Sequence, residues 1–286
     1  MEEPAQAFVP QPIPGFFEGL RKFGMTAAAD PVGGLRLIGR AMAIVVPALV
    51  LVPAHYLWRA LGLASPWPRP FLRLVARACG MRVAMTGTPL TGNVMFVANH
   101  LSWIDIPALG GVTGAVFVAQ DRINEWPVFG WLARLNDTIF VSRSDRMQVG
   151  SQVAALRAAL ARHPRLALFP EGTTTDGSHL LPFKAPLFAA LDPPPPGLVI
   201  QPVVLDFDAA GRDLAWIGVE TAPANAWRVF RRKGSFAVTL HFLEPFDPAS
   251  LPGRKAVSAE CRRRIEARLL AGRHEDAAIA MAGPSG

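Results

Sequence analysis

The chain has 286 residues, 51% of them hydrophobic, and a formal net charge of +7 at neutral pH. It is long enough to bury one large core with an appendage. Its mean hydropathy of +0.27 is high for a freely soluble protein, and its basic charge calls for an anionic partner: phospholipid, nucleic acid or an acidic carrier. Two cysteines, Cys79 and Cys261, exclude a disulfide framework and any cysteine metal spacing, and fit a reducing compartment.

The first element in chain order is an apolar stretch, Ala41–Trp58, with no Asp, Glu, Lys or Arg in 18 residues. Several charges precede it, so a secretory signal is not expected. Crossing a bilayer takes about 20 apolar residues. However, Pro47 and Pro53 would disturb a straight span. Arginines on both flanks, Arg36 and Arg40 before and Arg59 and Arg69 after, give the positive-inside rule no preferred orientation. The expected form is a kinked or paired helical element dipping into one leaflet with its basic flanks on anionic headgroups. The alternative is a buried core helix.

Beyond Arg82, strands and helices alternate. Apolar runs at Val94–Ala98, Ala115–Ala119, Thr138–Val141, Leu166–Phe169 and Leu198–Leu205 predict strands, and Phe236–Phe242 predicts another. Trp126–Leu135, Met147–His163 and Pro182–Leu191 have helical spacing. The last of these is closed by Asp192 and the Pro193–Pro196 run. Ala256–Leu270 reads as a basic amphipathic helix. The alternation predicts an α/β fold, a mainly parallel sheet flanked by helices. The chain divides into an N-terminal membrane-associating helical region (1–78), an α/β domain (79–272) and a disordered Ala/Gly-rich tail (273–286).

Chemistry-bearing residues collect after the strands. His100 follows Val94–Ala98, where open α/β sheets place their sites. If the chain turns, Asp105 can accept the imidazole Nδ1 proton and leave the other nitrogen free to take a proton from a substrate hydroxyl. Ser142-Arg-Ser-Asp-Arg146 offers Arg143 and Arg146 as anion clamps. Pro170-Glu-Gly-Thr-Thr-Thr-Asp-Gly177 is a loop of backbone N–H groups and hydroxyls able to hold an anion or oxyanion; taken alone it reads equally as a strand-to-helix turn. In Gln201-Pro-Val-Val204 the proline is expected at a strand's edge or start.

Together these segments resemble the glycerolipid acyltransferase family over residues 80–245. The blocks are Asn99-His100-Leu-Ser-Trp-Ile-Asp105, Phe140-Val-Ser-Arg143, Phe169-Pro-Glu-Gly-Thr173 and Ile200-Gln-Pro-Val203. Trp126-Pro-Val-Phe-Gly-Trp131 and Leu181-Pro-Phe-Lys184 also match. The resemblance implies transfer of a fatty acyl group from an acyl-CoA or acyl carrier protein thioester to the hydroxyl of a lyso-lipid acceptor. His100 would be the base and Asp105 its partner. Glu171, Gly172 and Thr173 would shape the acceptor pocket, and Arg143 would pair with an anionic headgroup. No metal or bound cofactor is implied. The implied setting is membrane phospholipid at the cytoplasmic face of a bacterial inner membrane.

Two departures bear on the acceptor. Thr174 stands where phosphatidic-acid-forming members usually carry arginine, and Ser142 where many carry aspartate. Losing that arginine removes a bidentate phosphate ligand, although Arg146 or Lys184 could replace it. On family frequency 1-acyl-glycerol-3-phosphate ranks first as acceptor, with a non-phosphate lyso-lipid such as lyso-ornithine lipid second. Among other classes, a serine hydrolase lacks its Gly-x-Ser-x-Gly elbow, and no nucleic acid partner is expected because no nucleic-acid motif interleaves the basic residues with aromatics. A non-catalytic membrane scaffold is disfavoured by the presence of both His100 and Asp105. His55, His163, His179, His241 and His274 read as structural or surface residues.

Overall fold

The structure is a computed structural model, and it describes residues 30–124, 127–141 and 149–282. It opens with α1 (Pro31–Ala60), started by Asp30, whose side chain accepts the Gly33 N–H at 2.9 Å. Pro47 and Pro53 lie inside this one continuous helix. Of the expected kinked or paired forms, the pair is therefore replaced by a single helix of 30 residues, about 45 Å long at 1.5 Å per residue. It leaves Leu35, Leu49 and Val50 about two-thirds or more exposed. By length and composition the helix could cross a membrane.

Next come α2 (Pro68–Ala78), β1 (Met81–Thr86), β2 (Val94–Ala98), α3 (Asp105–Thr113), β3 (Val116–Gln120), α4 (Asp121–Asn124), α5 (Pro127–Leu135), β4 (Ile139–Val141), α6 (Val149–Arg162) and β5 (Arg165–Leu168). A 3-10 turn, Ala185–Leu191, precedes β6 (Val199–Asp206), α7 (Gly211–Leu214), α8 (Ala222–Arg231), β7 (Phe236–Phe242) and α9 (Gly253–Ala282).

Seven strands form one sheet in the order β1-β7-β6-β2-β5-β3-β4. All neighbours are parallel except β6 and β7, so β1 and β7 run against the other five. The predicted α/β class with a mainly parallel, helix-flanked sheet is what the chain adopts. Central β2 is buried along its whole length. Its pleat sends Val94, Phe96 and Ala98 into one core with α2, α3 and α8, and Met95 and Val97 into another with α6 and α9. Helices α2 and α3 cross closely because Gly110 and Gly111 carry no side chain. A Cβ on Gly110 would lie 2.6 Å from Leu72, and one on Gly111 3.1 Å from the Arg73 backbone.

Four local expectations differ. Pro182–Leu191 is not an α-helix; only Ala185–Leu191 turns, as 3-10, because Pro186 sits at its start and the Pro193–Pro196 run blocks extension. The C-terminal helix runs past Leu270 to Ala282, where disorder was expected from residue 273; this alanine-rich stretch has high helix propensity. Strand β1 was not predicted, since it is an exposed edge strand without alternating burial. Pro202 lies inside an interior strand. It is tolerated because its carbonyl faces the β7 side, taking the Leu243 N–H, just before the β6–β7 ladder begins at Val203.

Candidate active site

The site lies at the carboxyl ends of β2, β5 and β3, three neighbouring parallel strands. Beyond β2, Asn99 continues the ladder with its side chain. Its Nδ2 donates to the Leu205 carbonyl at 3.0 Å and its Oδ1 accepts the Leu205 N–H at 2.8 Å. His100 follows at the edge, its side chain 18% exposed.

The six residues from His100 to Asp105 form a tight turn closed on one oxygen. Asp105 Oδ2 accepts His100 Nδ1–H at 2.7 Å, the Leu101 N–H at 2.6 Å and the Ser102 N–H at 2.9 Å. Since the carboxylate only accepts, the imidazole's proton sits on Nδ1 and Nε2 carries a lone pair. Nε2 has no protein partner among the described residues. Asp105 is wholly buried and is the first residue of α3, where the helix dipole favours its negative charge. Its Oδ1 is buried with no hydrogen-bond partner among the described residues, so a cation forming on His100 compensates an otherwise under-solvated carboxylate. The imidazole stacks on Phe169, 4.2 Å between centroids and 13° apart in plane, and Phe169 stacks in turn on Phe117.

Glu171, Gly172 and Thr173, expected to shape an acceptor pocket, come directly against this turn. Glu171 is buried, with Oε1 on the His100 N–H (2.9 Å) and Oε2 on the Leu181 N–H (2.8 Å). Burial pushes its carboxyl above the usual range, and the two N–H donors pull it partly back. Gly172 has φ +69°, a conformation glycine adopts without strain, and its carbonyl accepts Gln120 Nε2 at 2.8 Å. Thr173 is half-buried. Thr174 turns its hydroxyl onto the Trp216 carbonyl, and the Thr175 N–H donates to the His100 carbonyl at 2.9 Å. Lys184 has an exposed side chain, while its N–H joins the Pro170 carbonyl at 2.9 Å. Arg143, Arg146, Ser142 and Trp126 lie outside the described residues.

Beside the dyad is an apolar cavity of about 180 Å³ between α1, α2, α3, β3 and α5, with Leu51, Phe71, Trp103, Ile106, Phe117 and Phe129 in its walls. Phe117, in the cavity wall, stacks on Phe169, which stacks in turn on His100. Sequence reasoning did not locate these walls, nor did it single out Phe169, Gln120, Trp216 or Asn225. Phe169 stood inside a recognised block, whereas Gln120, Trp216 and Asn225 carry no local pattern. His55, read as structural or surface, is buried in the cavity wall and bonded to Ser65 at 2.8 Å.

Both ends of α1 dock on the same domain. At one end Arg40 donates to the carbonyls of Val229 (2.8 Å) and Gly234 (2.8 Å), and Arg36 to that of Arg231 (3.0 Å). At the other, Arg59 pairs with Asp137 at 2.8 Å.

A family profile described as Acyltransferase matches residues 82–206. The chain is 34% identical over 258 residues to the lyso-ornithine lipid O-acyltransferase of Rhodobacter capsulatus, covering 82% of this chain and 89% of that protein. It is 31% identical to the 1-acyl-sn-glycerol-3-phosphate acyltransferase of Neisseria gonorrhoeae, over 68% and 76% of the two chains. The crystal structure of the 1-acyl-sn-glycerophosphate acyltransferase of Thermotoga maritima shares the fold, with a TM-score of 0.51 at 18% identity, covering 80% of this chain and 98% of that one.

Proposed function

The chain belongs to the glycerolipid acyltransferase family, and from that premise we propose that it esterifies the free hydroxyl of lyso-ornithine lipid. The general reaction, acyl transfer to a lyso-lipid, follows from the family. The acceptor rests on one observation: Thr174 stands where an arginine would bind phosphate, and its hydroxyl is committed to the Trp216 carbonyl. Thr174 itself supplies no cation, which favours a headgroup without phosphate. Lyso-ornithine lipid therefore moves ahead of 1-acyl-glycerol-3-phosphate, the acceptor ranked first on sequence. A relative of each kind is similar to this chain.

In this reading His100 Nε2 takes the proton of the acceptor hydroxyl as that oxygen attacks the thioester carbonyl. Asp105 holds the ring and stabilises the imidazolium. The tetrahedral intermediate collapses with cleavage of the C–S bond. The proton then passes from His100 to the departing thiolate of coenzyme A or acyl carrier protein, leaving an ester and a free thiol. The apolar cavity beside Phe117 takes an acyl chain, since its walls offer dispersion contact and few polar groups.

Helix α1 lies along the domain in one leaflet and does not cross the bilayer. Arg36 and Arg59 are 23 residues apart, about 35 Å along a helix axis, which exceeds the roughly 30 Å hydrocarbon core. Both are tied to one catalytic domain. A spanning helix would put those two docking points on opposite sides of the membrane. The cytoplasmic face is assigned because the thioester donors are cytoplasmic.

The experiment is acyl transfer by the purified full chain in detergent micelles. Lyso-ornithine lipid and 1-acyl-glycerol-3-phosphate are offered in parallel with acyl-CoA and acyl carrier protein donors. General-base catalysis contributes about 10²–10⁴-fold, so His100→Ala should lose at least that much. Preference for the phosphate acceptor would overturn the substrate, and near-normal turnover by His100→Ala would overturn the mechanism.

A further inference from the structure

Asn225, in the first turn of α8, is wholly buried and distant in sequence from the catalytic turn. Its Oδ1 accepts Trp103 Nε1–H at 3.0 Å and Ser102 Oγ–H at 3.3 Å. Its Nδ2 donates to the Ala215 carbonyl at 3.2 Å and to Glu220 Oε2 at 2.8 Å. The indole only donates and the carboxylate only accepts, so the amide has one possible orientation and all four of its hydrogen-bonding positions are used.

Neighbouring contacts make this amide a fixed point. Glu220 is gripped by Arg228 through Nε at 3.0 Å and Nη2 at 2.7 Å, and Arg228 Nη2 also binds the Ala215 carbonyl at 2.8 Å. At the far end of α8, Arg40 and Arg36 of α1 hold its last carbonyls. The helix is therefore braced at both ends. Burying an asparagine is costly unless every polar atom is paired, and a fully paired network specifies one geometry. Here that geometry belongs to Ser102 and Trp103, the residues between His100 and Asp105. The Ser102 N–H is one of the two amides on Asp105 Oδ2, and Trp103 forms part of the cavity wall.

We propose that Asn225 is a positioning residue for acyl transfer: it locks Ser102 and Trp103 so that Asp105 keeps its amide donors and His100 Nε2 stays where the acceptor hydroxyl arrives. Asn225 touches neither substrate nor imidazole and acts only through the turn. The proposal rests on His100 being the base.

The test uses the purified full chain in micelles, with kcat and KM measured for both substrates and folding followed by circular dichroism. Asn225→Ala should lower kcat by about 10–100-fold, as small misplacements of a reacting group do, with KM for the acyl donor changed less than about threefold. Trp103→Phe keeps a ring at the cavity wall but removes the donor. It should lower kcat in the same direction, and the two losses should fail to add, since both break one contact. The exchange Asn225→Asp with Glu220→Gln restores an acceptor for the indole and a donor beneath it, and should recover kcat over Asn225→Ala.

Full kcat in a folded Asn225→Ala protein would overturn the proposal. So would additive losses, or an exchange variant no better than the alanine. If the alanine variant does not fold, Trp103→Phe and the exchange variant decide: wild-type kcat in Trp103→Phe, or a folded exchange variant no more active than Trp103→Phe, would overturn it. Retained activity in His100→Ala instead sinks the base assignment. That outcome is distinct from active Asn225 variants alongside a dead His100→Ala.

Discussion

Glu171 holds the backbone of His100, not its ring: Oε1 accepts the His100 N–H at 2.9 Å while Oε2 accepts the Leu181 N–H at 2.8 Å. The loop after β5 is thereby stapled to the turn after β2. The His100 carbonyl is held from the same loop by the Thr175 N–H. His100, the proposed base, is fixed on both sides of its Cα by the loop proposed to shape the acceptor pocket.

Glu171→Gln tests this staple. The substituted amide keeps one accepting oxygen but turns an NH₂ donor toward a backbone N–H. A buried donor facing a donor costs about 1–3 kcal/mol. The expected result is a lower melting temperature together with kcat reduced by about 10–100-fold, in line with a misplaced base. Steady-state kinetics that show only a raised acceptor KM would mean that Glu171 contacts the acceptor directly.

Thr174→Arg tests the acceptor reading. An arginine there frees the Trp216 carbonyl and adds a bidentate phosphate ligand. The ratio of kcat/KM for 1-acyl-glycerol-3-phosphate over lyso-ornithine lipid should rise by about tenfold, corresponding to about 1.4 kcal/mol. An unchanged ratio in a folded variant would place headgroup selection elsewhere.

A second polar cluster makes stability depend on pH. Asp206, at the end of β6, has its carboxyl held below the usual range by the His241 imidazole 3.9 Å away, against the opposing cost of burial and with help from the Asp208 N–H and the Arg268 charge. A carboxyl depressed by folding stabilises the native state above its unfolded value, near pH 4, and loses that contribution as pH falls through the folded value. Thermal melts of the wild type and Asp206→Asn should differ at neutral pH and converge in the acid range. A gap that stays constant down to pH 3 would show that the ionised carboxylate contributes nothing.

Cysteine accessibility checks the seating of α1. Both native thiols are buried, and burial pushes that of Cys79 up to about 12 and that of Cys261 higher still, so neither competes for a maleimide. Val32→Cys and Leu61→Cys mark the two ends of the helix at exposed positions. In sealed vesicles of one orientation, a membrane-impermeant maleimide should label both from the same side. Labelling from opposite sides would make α1 a spanning helix.

Much of the architecture was legible in the chain because its central strands are continuous apolar runs. Val94–Ala98 and Phe236–Phe242 lie where their patterns put them, and the other predicted strands shift by about one residue at their ends. Edge strand β1 escaped because an exposed strand has no burial to impose alternation. Pro182–Leu191 was overread because its apolar spacing fits a helix while its prolines permit only a 3-10 turn. Two prolines failed to break α1, since they interrupt individual hydrogen bonds in a helix of 30 residues without ending it.

The sequence by itself determined six of the sheet's seven strands, the family, and the pairing of His100 with Asp105, because the strands depend on periodicity, the family on its motif blocks and the pair on residues five positions apart. Only the tertiary structure decided what surrounds that pair. Glu171, Thr175 and Phe169 arrive from the loop after β5, Trp216 from the segment after α7, and Asn225 from α8, each separated from His100 by 69 to 125 residues. Their contacts form only when parallel strands stack their carboxyl ends side by side. No local pattern encodes that convergence, because a hydrogen bond depends on the distance between atoms and not on their separation along the chain.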